Sequence, residues 1–244
     1  MHLHTKALVL RETAYKESDK ILTLLTQEQG KLTASARGCR RKGSPLAAGS
    51  QLLVWSDFIL YEYQGRWSVK EAEVEREFRG MREDLDKFSL GCYFGEVTQA
   101  LALEGLPSPE MLSLILNSLH ALDRLDRPLA LVKGAFELRA MCLAGYEPVL
   151  DACAVCGCQP GFHLREGVLH CARCRGEVGD GVSMPLDQGA LAAMRHVAYG
   201  DPKRLFSFQL EEKSLSAFAD VAEAYLLTQL ERGFSTLDFY KSLR

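Results

Sequence analysis

The sequence predicts an α+β protein: a five-stranded barrel over residues 1–80, then an all-helical domain over 81–244 with a four-cysteine zinc module inserted at 149–182. Three observations predict it. Short runs with period-two alternation fill the first eighty residues, the apolar spacing then switches to the helical period, and two CxxC pairs interrupt the helices. With 244 residues, 47% of them hydrophobic, the chain can bury a real core, and disorder is not the expectation.

Residues 6–11, 20–26, 31–37, 51–63 and 67–73 are strand-like runs rich in Leu, Val, Thr and aromatics, separated by polar turns. Alternation is clearest where Leu32, Ala34 and Ala36 interleave with Thr33, Ser35 and Arg37. Gln29-Gly30 supplies a tight turn between the second and third runs, and Gln64-Gly65 another between the fourth and fifth. Closure into a barrel removes the edges that a flat five-stranded sheet would expose, and an OB-type barrel is one such solution.

Beyond residue 80, Leu90, Tyr93, Phe94, Val97 and Leu101 form one apolar stripe of a helix. Ser108-Pro109-Glu110 places a cap, a first-turn proline and an acidic residue in order, launching a second helix with Leu112, Ile115, Leu119 and Leu122 inward. A third spans 129–143 and is stopped by Gly145 and Pro148. Helical patterns resume over 187–199 and 214–232, the last with Leu215, Phe218, Ala222 and Tyr225 on one face.

The cysteine module lies between the third helix and the later ones. Cys153 and Cys156, then fourteen residues, then Cys171 and Cys174 are two CxxC pairs whose loop is one residue short of the usual range of about 15 to 20. Four thiolates on short turns describe one tetrahedral structural zinc site. Iron in an electron-transfer centre uses the same four thiolates, and a thioredoxin-like CxxC would leave the second pair idle. Cys158, His163 and His170 stand near enough to substitute for a ligand, and are read as loop or supporting residues. A catalytic zinc keeps a position open, whereas four cysteines close the shell, and the His-x-Glu of the zinc deaminases is absent. The module is therefore expected to brace the chain between helices, metal binding supplying folding energy to a segment poor in apolar residues.

Net charge is −3, but residues 1–80 carry 13 Lys and Arg against 10 Asp and Glu, leaving 16 against 22 for the rest. Arg37-Gly38-Cys39-Arg40-Arg41-Lys42-Gly43-Ser44 sets four cations in six residues directly after the third strand, with glycines that let backbone approach a phosphate. Arg37, Arg40, Arg41 and Lys42 are the candidate DNA contacts, extended by Lys31, Arg11 and Lys16. Trp55, Phe58, Tyr61, Tyr63 and Trp67 are candidate stacking residues, most of them expected in the barrel core. The first ten residues do not resemble a signal peptide, and no stretch approaches the roughly 18 apolar residues of a membrane span, so a cytoplasmic location is expected. A Walker phosphate loop and a nuclease-like carboxylate set are both missing, and no enzymatic activity is expected.

Ala7-Leu8-Val9-Leu10, Tyr15-Lys16-Glu17-Ser18-Asp19-Lys20-Ile21, Gly30-Lys31-Leu32, Ala36-Arg37-Gly38 with Arg40-Arg41, and Gly145-Tyr146-Glu147-Pro148 leading into Leu150-Asp151 occur in an order that resembles the bacterial recombination-mediator family RecO. The resemblance spans the whole length. It implies an N-terminal OB barrel, a helical domain bearing a four-cysteine zinc site in many members, and no ATPase. It also implies binding of single- and double-stranded DNA, annealing of complementary strands and, with RecR, help for RecA in replacing the single-strand-binding protein SSB. The resemblance thereby narrows the expected cytoplasmic location to a nucleoid-associated one. In the family the helical domain receives the acidic, apolar C-terminal tail of SSB, which calls for an apolar groove rimmed by cations; Lys133 and Arg139 on the third helix are the candidates. Cys39 departs from the family, which usually has a small or apolar residue there. A zinc-braced adaptor that binds protein alone is the competing expectation.

Overall fold

A computed structural model of the chain describes residues 2–157, 163–165, 167–171, 173–174 and 184–244. Strands β1 (His2–Tyr15), β2 (Asp19–Thr26), β3 (Gly30–Ala36), β4 (Trp55–Tyr63) and β5 (Arg66–Arg76) close a barrel in the order β1-β2-β3-β5-β4, with β4 returning to β1. Every pairing is antiparallel except the short parallel one of β3 with β5, Ala34 opposite Trp67. That order and closure are those of an OB barrel, as the alternation and the two hairpin turns predict. Val9, Leu22, Leu24, Leu32, Ala34, Phe58 and Leu60 fill the interior, the alternate residues of each strand pointing in.

The outer wall is divided by a bulge in β1. Val9 pairs with Leu24 and Arg11 with Thr23, so Leu10 is an extra residue. Before the bulge, Leu8 and Leu25 stand opposite each other, fully buried yet outside the barrel's interior cluster. After it, Arg11, Thr13 and Tyr15 are exposed.

The buried half of the wall is covered by helix α2 (Leu85–Leu101), whose cap Asp84 accepts from the Lys87 N–H at 3.1 Å. The close approach depends on Gly91 and Gly95. A Cβ at Gly91 would sit 3.2 Å from Leu53 Cδ1, and one at Gly95 would sit 3.3 Å from Leu53 Cδ2 and 3.4 Å from the Leu10 carbonyl. The short α1 (Arg79–Arg82) and α3 (Pro109–Arg124) pack beside α2, and the C-terminal α7 (Ser235–Ser242) returns to it. Phe234 meets Tyr93 edge-on at 5.7 Å, and the Glu96 carboxylate accepts from Thr236 N–H at 3.1 Å and from its hydroxyl at 2.5 Å.

The chain forms two compact units, residues 1–124 with 234–244, and 125–233. The expected division at residue 80 marks the end of the barrel strands, but the first unit continues through three helices and is completed by the C-terminal one. The physical reason is Leu8, Leu10, Leu25 and Leu53, which the barrel interior does not accommodate and the helices bury.

In the second unit, α4 (Leu129–Leu143), α5 (Gln188–Tyr199) and α6 (Glu212–Leu230) pack on one another, and α5 meets β6 of a small sheet in the order β6-β8-β7-β9, made of β6 (Val149–Cys153), β7 (His163–Arg165), β8 (Val168–His170) and β9 (Met184–Pro185). The third predicted helix, 129–143, matches α4 at both ends. Asp187 caps α5 by accepting from Ala190 N–H at 2.7 Å and also takes the Ser214 hydroxyl of α6 at 2.9 Å. Among the described residues no helix is long and apolar enough to cross a membrane.

Candidate metal centre and nucleic-acid interface

Two turns build the metal centre. Cys153 ends β6, and the Gly157 N–H returns to its carbonyl at 2.9 Å, folding Cys156 back beside it; Cys171 follows β8, and the Cys174 N–H returns to the Cys171 carbonyl at 3.1 Å. The four sulfurs all lie within 4.8 Å of one another, Cys156 and Cys171 at 3.8 Å. A tetrahedral ion with metal–sulfur bonds of about 2.3 Å separates its ligands by roughly 3.8 Å, so the set fits one such ion.

Their electrostatics fit a cation too. The backbone N–H of Cys156, joined by that of Cys171, pulls the Cys153 thiol down to about 7, while the contact with Cys156, with burial and the other thiols, pushes Cys174 well above its ordinary value. Crowded thiols behave this way because the first thiolate hinders the next ionisation, a conflict that a divalent ion removes. His170 stays outside the donor set: it is 2% exposed, and neither ring nitrogen has a hydrogen-bond partner among the described residues. His163 contributes its backbone to β7, and Cys158 lies outside the described residues.

Sequence reasoning missed what holds this centre. Arg195 of α5 donates from Nε and Nη2 to the Leu150 carbonyl at 2.9 and 2.7 Å and from Nη2 to the Asp151 carbonyl at 3.0 Å. One turn later Tyr199 donates its hydroxyl to the Pro148 carbonyl at 2.7 Å and accepts from the Leu150 N–H at 3.0 Å. The strand ending in Cys153 is thus gripped by one helix face, with the i, i+4 spacing of Arg195 and Tyr199 as its only trace in the sequence.

Lys133 is too buried to rim a groove, which corrects the expectation drawn from its place on a helix, and Arg139 is half-buried with its guanidinium engaged. Lys133 is 6% exposed, and its ammonium lies 2.8 Å from carboxylates of both Glu137 and Glu223, tying α4 to α6. Burial opposes its charge, but Glu137 and Glu223 outweigh that and hold its pKa above the ordinary value. Arg139 donates to the Val197 and Ala198 carbonyls at 3.4 and 2.8 Å, satisfying the last turn of α5.

On the barrel, the segment after β3 is a fastened loop. Gly38, at φ 69°, donates its N–H to Asp19 Oδ1 at 2.8 Å, Arg40 donates its N–H to the Ser18 carbonyl at 2.9 Å, and Cys39 between them is 3% exposed inside the barrel cluster. Only a residue tolerant of positive φ lets the chain turn there. The Gly38 N–H, more than any other contact, holds the Asp19 carboxyl below its ordinary value. So anchored, Arg37, Arg40, Arg41 and Lys42 all point into solvent. Arg11 joins them on the open wall: it stands opposite Thr23, which stands opposite Thr33, on the face that Ser35 and Arg37 continue. Lys31 does not. It lies six residues, about 20 Å, from Arg37 along β3, and its ammonium donates to the Gln99 carbonyl at 2.8 Å.

Of the proposed stacking residues, Phe58 is fully buried and Trp67 packs against the barrel core. Tyr61 leans on His2 at 4.9 Å. Tyr63 is 62% exposed and stands opposite Arg66 at the β4–β5 turn, beyond the end of the β1–β4 ladder.

The models of the N-terminal and C-terminal regions of recombination protein O match residues 1–78 and 82–238 of this chain. The chain belongs to the RecO family. Full-length RecO relatives agree: the DNA repair protein RecO of Acetivibrio thermocellus is 31% identical over 99% of this chain and 97% of its own. Those of Symbiobacterium thermophilum and Alkaliphilus metalliredigens are 31% and 28% identical, over 97% and 100% of this chain and 96% and 100% of their own. The boundary between the two RecO models falls at the end of the barrel strands, not at the edge of the compact unit that contains them.

Proposed function

We propose that this chain is a DNA repair and recombination mediator that binds single- and double-stranded DNA through its barrel, anneals complementary strands and, with RecR, helps to load RecA on SSB-coated single strands. The observation that carries the reading is the loop at 37–42, four solvent-facing cations held by Asp19, Ser18 and the buried Cys39. Membership of RecO, with relatives described as DNA repair proteins, supports it. Annealing requires only that repulsion between two phosphate chains be relieved while bases pair, and a preorganised row of guanidinium groups does this without chemistry. The metal is proposed to be zinc in a structural role, closed by Cys153, Cys156, Cys171 and Cys174. A cytoplasmic, nucleoid-associated location follows from the same reading. SSB's C-terminal tail is a proposed partner, on a surface that does not include the buried Lys133.

Arg40→Glu/Arg41→Glu tests the loop. Four phosphate contacts predict that log affinity for single strands falls against log salt with a slope of about −3. The doubly reversed protein should bind and anneal at least tenfold more weakly at about 50 mM salt with a shallower slope. Wild-type-like annealing by that variant, or retention by RecR but by no DNA, would replace this reading with that of an adaptor.

A further inference from the structure

Tyr15 closes β1 at the rim of the open wall, 49% exposed, and was not among the stacking candidates read from the sequence. Its hairpin tip is part of the basic loop's own framework. Asp19, its ladder partner, accepts from Gly38, Ser18 accepts from Arg40 N–H, and the Lys16 carbonyl lies 3.4 Å from Arg40 Nη1. Lys16, at φ 53°, turns so that its ammonium stands 5.3 Å from the centre of the Tyr15 ring. An exposed aromatic ring, a cation over it and a row of guanidinium groups are thereby fixed side by side, a half-dry, half-charged arrangement that a solvated loop has no reason to build. Glu17 on the same tip is exposed and disfavours a phosphate directly above it, which leaves the tip suited to an uncharged planar group, with phosphates displaced toward Arg37 and Arg40.

We propose that Tyr15 is a stacking platform for one unpaired nucleobase, and that it makes this interface favour single strands over duplex. The inference rests on the reading of the 37–42 loop as the phosphate-binding element. A base inside a duplex is stacked on both faces and cannot lie on the ring, whereas every unpaired base offers a free π face. The loop cations draw either form of DNA, so the preference resides in the ring.

The test compares wild type, Tyr15→Ala, Tyr15→Phe and Arg40→Glu/Arg41→Glu on three ligands of equal phosphate number. These are oligothymidylate, the same backbone carrying no bases, and a duplex closed by hairpins at both ends. Tyr15→Ala is expected to bind oligothymidylate about tenfold more weakly, within the range one stacked base supplies, with duplex affinity and salt slope unchanged, while Tyr15→Phe keeps wild-type affinity. On the base-free backbone wild type should fall to the level of Tyr15→Ala. Equal losses on single strand and duplex, no loss at all, or a Tyr15→Ala protein that still prefers bases to the bare backbone each overturn the proposal. If the doubly reversed loop binds all three ligands as wild type does, the phosphate reading fails on its own account, which separates the two outcomes.

Discussion

Asp19 and Cys39 together explain why a glycine-flanked run of cations holds one shape. The thiol is packed in the barrel while the carboxylate takes the neighbouring amide, so the residues on either side are aimed outward. Asp19's carboxyl is held below its ordinary value of 3.8 chiefly by the Gly38 N–H. A depressed folded value means that the anchoring is complete above the unfolded value and lost as pH falls through the folded one. Hydrogen exchange at the Gly38 amide should therefore keep constant protection from about pH 8 to about pH 5, once intrinsic exchange is removed, and lose it only below the ordinary carboxylate range. Asp19→Ala should abolish that protection at every pH, and Asp19→Asn, which keeps an acceptor oxygen, should retain part of it. Protection surviving in Asp19→Ala would show that the loop is held by something else.

Helix α5 matters at the scale of elements because it grips a strand as well as packing on α4 and α6. Arg195 and Tyr199 hold the strand that ends in Cys153, and Arg139 from α4 satisfies α5's last carbonyls. Metal binding and the docking of β6 on α5 are then linked, since whatever fixes one end of a five-residue strand fixes the other. Arg195→Ala should weaken metal affinity about tenfold in competition with a chromophoric chelator, and Arg195→Lys, which lacks the fork that reaches two carbonyls, should not restore it. Unchanged affinity in Arg195→Ala would uncouple the helix from the centre. The Lys133, Glu137 and Glu223 cluster illustrates the same limit of sequence reading. A lysine on a helix reads as surface, and only the packing of α6 on α4 reveals that its ammonium is enclosed by two carboxylates. Removing one member of such a buried set costs about 3–5 kcal/mol, because the remaining charges stay in low dielectric.

On the scale of the whole molecule, the first unit is a barrel with its own helical cover, and Phe234 and α7 complete that cover from the far end of the chain. A chain ending at residue 233 should lose the Tyr93–Phe234 contact and the Glu96 bonds to Thr236, and melt several degrees lower in the transition that reports the barrel. Unaltered melting would show that α7 contributes nothing to it. The four clustered cysteines all belong to the second unit and the basic loop to the first. Chelation should therefore lower the stability of residues 125–233 while leaving DNA affinity at low salt within about twofold. Loss of DNA binding in step with metal removal would place the centre in the binding function and not in a brace.

Read alone, the sequence determined the five barrel strands, the helices α2 to α6 with the boundaries of α4, the clustering of four cysteines and the exposed run of cations, but not the small sheet β6 to β9, nor α1 and α7. Each of these depends on local spacing: a period of two or 3.6, a CxxC turn, or a run of like charges that no core accepts. Tertiary structure alone decided the rest. The bulge at Leu10 determines which half of the barrel wall α2 covers, and with it the exposure of Arg11 and Tyr15 and the removal of Lys31 from the patch. Contacts with distant elements bury Lys133 between two carboxylates and tie the half-buried Arg139 to the last carbonyls of α5. Whether a charged or aromatic side chain meets water or another part of the chain depends on contacts between residues remote in sequence, and no local period carries that information.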